Sequence, residues 1–575
     1  MDIKFDTVSD NNSLNECAKK FYDNGYTSVI AAYSGDLVGA LKNIDYACAF
    51  IINDDTAVVI VKIGKVYSLI DDVKEIRYVD AITPFTLNYI SPLEASNITP
   101  FHDNPFLKLT GRGVIVGIID TGIDYLNEEF IYEDDTTKIF AIWDQSLPIT
   151  PGQIDVGLGS YYNRDDINKA IKLYKDGGDP YSIVPSKDEV GHGTKMAGII
   201  GGRGKNPAFI GGAPDCEFVV VKLKPTYVTD KGEPVYTPAS ILLALTFFNS
   251  LLKNPDMPPI VVYLPLGSNL GSHDGNSLLD KNIDRYSETI GTVVVTSTGN
   301  QGNQQVHVSG TIENTGDSKI IELKVSPTQK NIIMQIWIKK PDKVSLSIIS
   351  PSGEVIEKIP AKLQKNEEIK FIFEGSTAYV QYFIPEEITG DELISVEIKD
   401  IREGIWQFKL IGDYIADGRY DAYIPQRELL EGDTKFLNST SSTTLTLPSD
   451  GRQIITTSFY DQNNNAIVAE SGRGYTRDNR IKPDIAAGGV NAVTTSPGGA
   501  LSTVTGGSVA AAVVASACAL IFQWGIVEGR DPRIYAPKMK TYLIRGTNKR
   551  EGETYPNPIL GYGTLDLKAV FENIR

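Results

Sequence analysis

Three residues with complementary chemistry, Asp120, His192 and Ser508, each lie within a short glycine-rich run of this sequence. Asp120 ends an apolar run, whereas His192 and Ser508 each begin a run of small residues that predicts a helix. A serine hydroxyl can attack a carbonyl carbon, a histidine can take its proton, and a carboxylate can orient the imidazole. Each motif is common by itself, but the three together indicate acyl transfer by a serine nucleophile.

Asn300 supplies a fourth element of the same chemistry, because it stands in a Gly-Asn turn after an apolar run at residues 293–295. The tetrahedral intermediate of acyl transfer carries a negative oxygen, which a rigidly held side-chain amide can stabilise. Losing one such donor costs roughly 3 kcal/mol of transition-state stabilisation. The sequence therefore predicts Asn300 as the oxyanion donor, and the alternative is an ordinary asparagine in a turn after a strand.

In the chain order Asp, His, Ser, these motifs resemble those of the subtilases, the S8 family of serine proteases. The resemblance covers residues 1–306 and 448–575. Residues 90–96 and 142–145, together with a long insertion, are most similar to the Csp-type germination proteases of clostridial spores. The resemblance implies a serine endopeptidase that uses the three residues as a catalytic triad and the asparagine in the oxyanion hole.

The resemblance also implies that Pro265, Leu266 and Gly267 bind an extended substrate backbone. The family usually has serine at the first of these positions, so proline removes one backbone donor, although the Pro265 carbonyl and the Gly267 backbone remain. Gly507 replaces the usual threonine before the nucleophile and is expected to loosen that turn, and Gly488 replaces a usual proline. None of these departures removes a triad member, so we expect an active site, although pseudoproteases occur among Csp proteins.

The composition is typical of a soluble globular protein with two or three domains, with 575 residues, 41% of them hydrophobic. The formal net charge of −17 argues against nucleic-acid binding, which needs a basic face. The four cysteines lack paired spacing, so we expect no disulfide, no metal and no other cofactor. The remaining histidines are expected to be surface or loop residues (His102, His273 and His307).

No signal peptide is recognised at the start of the chain, which lacks a basic region followed by an apolar one. We also find no apolar run long enough to span a membrane. The sequence therefore predicts synthesis in the cytosol without a membrane span, and the Csp resemblance implies a place in the cortex or coat region of a spore.

Residues 1–88 are predicted to form a separate ferredoxin-like domain in β-α-β-β-α-β order. The subtilase resemblance implies that this domain is a propeptide that assists folding and stays bound non-covalently as an inhibitor. The alternative is an unrelated small α+β domain. Strands are predicted at residues 26–33, 47–52, 57–63 and 76–81, and helices at residues 36–41 and 66–73.

Residues 89–306 and 448–575 are predicted to form the catalytic domain, an α/β subtilisin-like fold with helices on both faces of a parallel sheet. Continuous Val and Ile runs between helices indicate strands that are buried on both faces. The predicted strands are residues 113–120, 218–223, 260–264 and 292–296, and the predicted helices are residues 192–201, 238–252, 276–290 and 508–524.

Residues 307–447 have a different hydrophobic pattern, with short alternating runs and little helical periodicity. This pattern predicts an inserted antiparallel β-sandwich. Csp-like subtilases carry a jelly-roll insertion at this place. We expect the insertion to brace the catalytic domain, and the alternative is that it docks a partner.

Two functions from different classes remain open at this point. The first is an active endopeptidase that cleaves its own propeptide within residues 83–90 and activates a zymogen, the precursor of a cortex-lytic enzyme, by limited proteolysis. The second is a catalytically idle subtilase-like scaffold in germination signalling. A general degradative protease is a third, less favoured reading, because a large insertion and a retained propeptide favour limited proteolysis of a protein substrate.

Overall fold

The computed structural model describes residues 17–80, 90–149, 157–363 and 366–574. The chain divides into two compact units, Met1–Tyr89 and Ile90–Arg575. Of the predicted cleavage segment, residues 83–89 lie outside the described residues. The predicted fold class is confirmed, since the second unit combines a largely parallel sheet flanked by helices with an inserted β-rich region.

The first unit has the β-α-β-β-α-β order predicted from the sequence. Its four strands form one antiparallel sheet in the order β2-β3-β1-β4, which is the ferredoxin-like arrangement. Alternate residues of β3 are buried with Leu37 and Leu69 of the two helices, so one face of the sheet forms the core. The elements are β1 Tyr26–Tyr33, α1 Leu37–Leu41, β2 Ala47–Ile51, β3 Thr56–Lys62, α2 Val66–Asp72 and β4 Ile76–Asp80.

A disulfide joins Cys17 to Cys48, so the expectation of no disulfide is wrong. Their separation of 31 residues gives no local spacing pattern, and pairing depends on where the fold places the two residues. Cys216 and Cys518 are buried free thiols.

The second unit begins with the first half of a large sheet and the helices that cover it. The predicted strands and helices are all present, although the helix predicted at residues 276–290 is shorter. The elements are α3 Pro92–Ala95, β5 Ile115–Asp120, β6 Ile139–Asp144, β7 Ser160–Asn163, α4 Arg164–Lys175, α5 His192–Gly201, β8 Glu217–Lys222, β9 Tyr227–Val228, β10 Pro234–Val235, α6 Pro238–Leu251, β11 Ile260–Tyr263, α7 Leu278–Ser287 and β12 Thr292–Ser297.

The inserted region consists of two antiparallel sheets that enclose their own hydrophobic core. The six-stranded sheet has the order β13-β22-β15-β20-β19-β18 and the five-stranded sheet the order β17-β16-β21-β14-β23. The strands are β13 His307–Thr311, β14 Ser318–Val325, β15 Asn331–Ile338, β16 Lys343–Ile349, β17 Val355–Ile359, β18 Asn366–Phe371, β19 Ser376–Phe383, β20 Glu392–Lys399, β21 Gly404–Tyr414, β22 Arg419–Tyr423 and β23 Lys435–Phe436.

The chain then returns to complete the large sheet, whose strand order is β29-β30-β26-β24-β12-β11-β5-β8-β6-β7. Neighbouring strands from β30 to β6 are parallel. The remaining elements are β24 Ile455–Asp461, β25 Ala466–Ile467, β26 Ile485–Gly488, β27 Ala492–Thr495, β28 Leu501–Val504, α8 Gly507–Phe522, α9 Ala536–Arg545, β29 Thr547–Asn548, β30 Thr564–Leu565 and α10 Leu567–Ile574.

Both faces of the large sheet are buried, which explains the continuous apolar strands. Val116 and Ile118 of β5 belong to the hydrophobic cluster that contains α5 and α8, whereas Ile115 and Ile119 belong to the cluster on the opposite face. Between them, Gly117 faces α6 so closely that a Cβ would lie 2.4 Å from a ring carbon of Phe248. A side chain at this position would therefore force α6 away from the sheet.

The apolar run Gly507–Val527, which includes α8, is long and apolar enough to cross a membrane, so the expectation of no such run is wrong. However, 89% of its most apolar window is buried inside the second unit. Composition does not distinguish a membrane span from a helix that is surrounded by a protein core. Its burial accounts for its apolar character.

Candidate active site

The large sheet brings the sequence-predicted residues to one edge. Asp120 is the last residue of β5, the segment Pro265, Leu266 and Gly267 follows β11, and Asn300 follows β12. These three strands are adjacent and parallel. Because parallel strands end at the same edge, the loops after them lie together, as in other α/β sites.

Asp120 and His192 form a hydrogen-bonded pair, with His192 Nδ1 2.9 Å from Asp120 Oδ1 and 2.8 Å from Oδ2. The Asp120 side chain is 1% exposed and that of His192 is 36% exposed, so a buried carboxylate supports a ring that reaches solvent. Desolvation favours a lower pKa, but the charge and hydrogen bond of Asp120 outweigh it, and the pKa of His192 lies above 6.5. The pairing leaves Nε2 available for proton transfer.

Asp188 positions the histidine and was missed by the sequence analysis. It is 6% exposed and accepts hydrogen bonds from Thr121 Oγ1, the Gly191 N–H and the Thr194 N–H and Oγ1, at distances of 2.6–2.8 Å. It thus ties the start of α5, which begins at His192, to the residue that follows Asp120. The residue directly before the helix is Gly191, and Asp188 lies four residues before His192, so the usual capping pattern does not identify it.

Ser508 is the second residue of α8, and residues 509–522 of this helix are all buried. The nucleophile is therefore carried on a helix that the surrounding core fixes in place. The first N–H groups of a helix lack partners within the helix and carry partial positive charge, which suits a developing oxyanion. The Ser508 carbonyl accepts a hydrogen bond of 2.8 Å from the hydroxyl of Tyr263 at the end of β11.

Tyr263 lies on the strand next to that of Asp120 and contacts Ser508, the predicted nucleophile. Its ring is fully buried, and burial, followed by the charge of Asp120, raises the pKa of Tyr263 well above 10. The same tyrosine therefore interacts electrostatically with Asp120 and donates a hydrogen bond to Ser508. Within the described part of the chain, His192 and Ser508 make no direct hydrogen bond, and catalytic hydrogen bonds of substrate-free enzymes are often long.

Asn300 lies against the start of α8, where its Oδ1 accepts a hydrogen bond of 3.1 Å from the Gly507 N–H. This contact orients the Nδ2 group as the remaining donor. A Cβ on Gly507 would lie 2.8 Å from Ser297 Cβ. The missing side chain therefore allows the turn to pack closely on β12.

Ser508, Asn300 and the segment Pro265, Leu266 and Gly267 line one cavity of about 1070 Å³. The predicted nucleophile, oxyanion donor and backbone-binding segment therefore share one space. One acceptor of that segment is engaged, since Gln426 Nε2 of the inserted region donates to the Gly267 carbonyl at 3.3 Å. This bond is long, and a substrate N–H can compete for the same oxygen.

His102, His273 and His307 are buried, so the expectation of surface residues is wrong, although His102 and His273 do lie in loops. His273 and His307 stack on the ring of Tyr423, with centroid distances of 3.8 and 4.4 Å, and join the inserted sandwich to the catalytic core. Desolvation lowers the pKa of His273 to about 4, so this ring is neutral. Among the described residues, no group of three or more His, Cys, Asp or Glu side chains is arranged to hold a metal ion.

Comparison with known proteins gives matches of three kinds. The model of the subtilase family, peptidase family S8, matches residues 111–323 and 431–563. The PII-type proteinase of Lacticaseibacillus paracasei is 23% identical over 334 residues, which are 56% of this chain and 16% of that protein. The PI-type proteinase of Lactococcus lactis subsp. cremoris is 22% identical over 381 residues, which are 64% of this chain and 18% of that protein. The chain thus spans less than a fifth of these relatives.

A solved structure, that of the Clostridium perfringens CspB protease, is similar over most of the chain. It is 32% identical in sequence with a TM-score of 0.74, and the match covers 83% of this chain and 96% of that one. These matches confirm the resemblance that the sequence motifs predicted.

Proposed function

Because the chain belongs to the subtilase family of serine endopeptidases, we propose that it cuts peptide bonds with Ser508 as nucleophile, His192 as general base and Asp120 as the group that orients the imidazole. The observation that carries this proposal is the buried pair in which His192 Nδ1 lies 2.8 Å from Asp120 Oδ2. No other histidine of the described residues has an exposed ring with a buried carboxylate behind it.

In the proposed mechanism, Ser508 Oγ attacks the scissile carbonyl carbon while His192 Nε2 takes the hydroxyl proton. The tetrahedral intermediate places its negative oxygen on Asn300 Nδ2 and on the Ser508 N–H. The imidazolium, stabilised by Asp120, then gives its proton to the leaving amine, and water hydrolyses the acyl-enzyme by the same steps. Substrate binding brings His192 and Ser508 into hydrogen-bond contact.

The likeness to the CspB protease supports a role in limited proteolysis, in which the protein activates a zymogen in a spore-forming cell. The ferredoxin-like first unit supports the view that residues 1–88 are a propeptide, cleaved by the enzyme itself within residues 83–90. In this role the cleaved propeptide remains bound non-covalently and inhibits the protease, which becomes active only after the propeptide dissociates.

A fluorophosphonate probe tests the catalytic assignment, because it reacts with an activated serine. The wild type should be labelled, and Ser508→Ala and His192→Ala should not. The control is Ser502→Ala, which changes a serine of β28 outside the proposed triad and should keep full labelling. A folded wild type that takes no label would favour the idle scaffold, and labelling of Ser508→Ala would refute the nucleophile.

A further inference from the structure

The cavity that contains Ser508 and Asn300 continues onto the inserted sandwich. Its lining includes residues of β15 and β20 and of the loop between β19 and β20, in addition to the loops of the large sheet. Its volume of about 1070 Å³ is at the upper end of the roughly 300–1,000 Å³ of sites for small molecules. A cavity of this size, open to a peptidase centre, has room for more of a polypeptide than the residues next to the scissile bond.

Strand β15 presents alternate residues to this cavity. Ile332, Met334 and Ile336 lie in the core of the sandwich, although Ile332 also borders the cavity, and the alternate residues of the strand line the cavity wall. The wall residues are Asn331, Ile333, Gln335 and Trp337 of β15 and Glu397, the cross-strand partner of Ile333. We call this set the sandwich wall. Three of its five residues are polar and two are apolar, as expected for a surface that contacts a peptide backbone and its side chains.

Two polar atoms of the sandwich wall have no hydrogen-bond partner among the described residues. They are Gln335 Oε1, an acceptor, and Trp337 Nε1, a donor, and Trp337 is only 4% exposed. An unpaired buried polar atom costs about 1–3 kcal/mol, and because both atoms are shielded from solvent here, a ligand pairs with them only after these side chains rotate toward the cavity. The two residues are two positions apart on one strand, about 6.6 Å, which is also the repeat of backbone groups along an extended peptide.

The charges that line the cavity all have the same sign. The charged side chains among its lining residues are Glu233, Glu386, Glu397 and Glu428, and no lysine, arginine or histidine lines it, although Glu397 lies 3.9 Å from the Nζ of Lys399 outside the lining. An acidic segment would be repelled by this wall, whereas a neutral or basic segment would not.

We propose that the sandwich wall is an extended substrate-binding surface, which takes a stretched, non-acidic segment of the protein being cleaved. This inference rests on the proposed function, since the bound segment is continuous with the peptide bond at Ser508. It assigns the inserted sandwich a role in substrate selection in addition to its contacts with the catalytic core.

The test compares two substrates of one cleavage sequence, a tetrapeptide anilide and a peptide of roughly sixteen residues, about 50 Å when extended. Ile333→Asp places a charge in the wall and should lower kcat/KM about tenfold more for the long peptide than for the anilide. The matched control is Ile320→Asp, on β14 of the other sheet, which is 46% exposed and does not line the cavity. It should leave both rate constants unchanged.

A second arm separates binding from catalysis. In a Ser508→Ala background, fluorescence anisotropy should show about tenfold weaker binding of the long peptide when Ile333→Asp is added. Glutamates placed at the ends of the long peptide should weaken binding to the otherwise unchanged wall, and Glu397→Gln should restore part of the loss. The inference would be overturned if the Ser508→Ala protein bound the long peptide equally well with and without Ile333→Asp. It would also be overturned if Ile320→Asp weakened binding as much as Ile333→Asp does. If the two Ser508→Ala proteins show the expected tenfold difference in binding but the wild type cleaves neither substrate, the proposed function fails instead.

Discussion

Replacing Tyr263 by phenylalanine removes a single hydroxyl that joins the substrate-binding strand to the nucleophile. The Tyr263 hydroxyl donates a 2.8 Å hydrogen bond to the Ser508 carbonyl, and the ring is fully buried. The change leaves the ring in place, so it creates almost no cavity. We therefore expect its effect to come from this hydrogen bond alone.

The expected magnitude follows from the burial of the bond. A buried hydrogen bond contributes about 0.5–1.5 kcal/mol net, and without the Tyr263 hydroxyl the Ser508 carbonyl keeps its place in the hydrogen bonding of α8. If the same energy holds Ser508 in position for attack, kcat falls about 3–10-fold, because 1.4 kcal/mol corresponds to a factor of ten. KM should stay unchanged, since Tyr263 lies beneath Ser508 and does not line the cavity.

Tyr286→Phe is the matched control. Tyr286 is also buried, but its hydroxyl has no hydrogen-bond partner among the described residues. Removing that hydroxyl should leave stability equal or higher. The measurements are kcat, KM, the rate constant of fluorophosphonate labelling and the urea midpoint for both variants. Equal effects of the two substitutions on kcat and labelling would refute a positioning role for Tyr263.

Three further predictions concern the oxyanion donor, the pH dependence of stability and processing. Asn300→Ala should lower kcat by about 10²–10³ with an unchanged urea midpoint, and an unaffected rate would exclude its oxyanion role. Burial raises the pKa of Glu392 from 4.5 to about 8, so folding of the wild type loses up to about 1.4 kcal/mol per pH unit between these values. Glu392→Gln should therefore be more stable than the wild type at pH 9 and similar at pH 4, by thermal melting; equal melting curves would contradict this. Intact mass spectrometry should show one cut within residues 83–90 at a rate that is independent of protein concentration, whereas an uncut 62.8 kDa species from a labelled enzyme would refute self-processing.

Local patterns were sufficient to predict most elements of the fold. The helix predicted at residues 192–201 has the same bounds in the structure, because Gly191 takes a left-handed conformation with φ of 80° just before it and small residues follow. The strands of the large sheet are recognisable because both faces are buried, which forces continuous apolar runs. The carboxyl ends of these strands then indicate where Asp120 and Asn300 must lie.

Features that depend on contacts between distant segments were not predictable in the same way. The Cys17–Cys48 disulfide and the stacking of His273 and His307 on Tyr423 join residues with no shared local pattern. A polar residue inside an apolar interface leaves no periodic pattern in the sequence, so the burial of the histidines that were expected to be surface or loop residues was not predicted. Asp188 was also missed, because it lies four residues before His192 and not at the capping position, which Gly191 occupies.

If the insertion braces the core and also binds substrate, as proposed, its place in the chain links the two roles. The sandwich begins at His307, shortly after Asn300, so it leaves the core at the edge that carries the catalytic groups. Gln301, directly after the oxyanion asparagine, is 3% exposed and bonds to the sandwich through the Arg427 N–H and the Glu428 carboxylate, each at 2.9 Å. Deleting the sandwich would therefore disturb Asn300 as well as the sandwich wall. Only substitutions on the wall itself, such as Ile333→Asp, can separate substrate binding from support of the oxyanion hole.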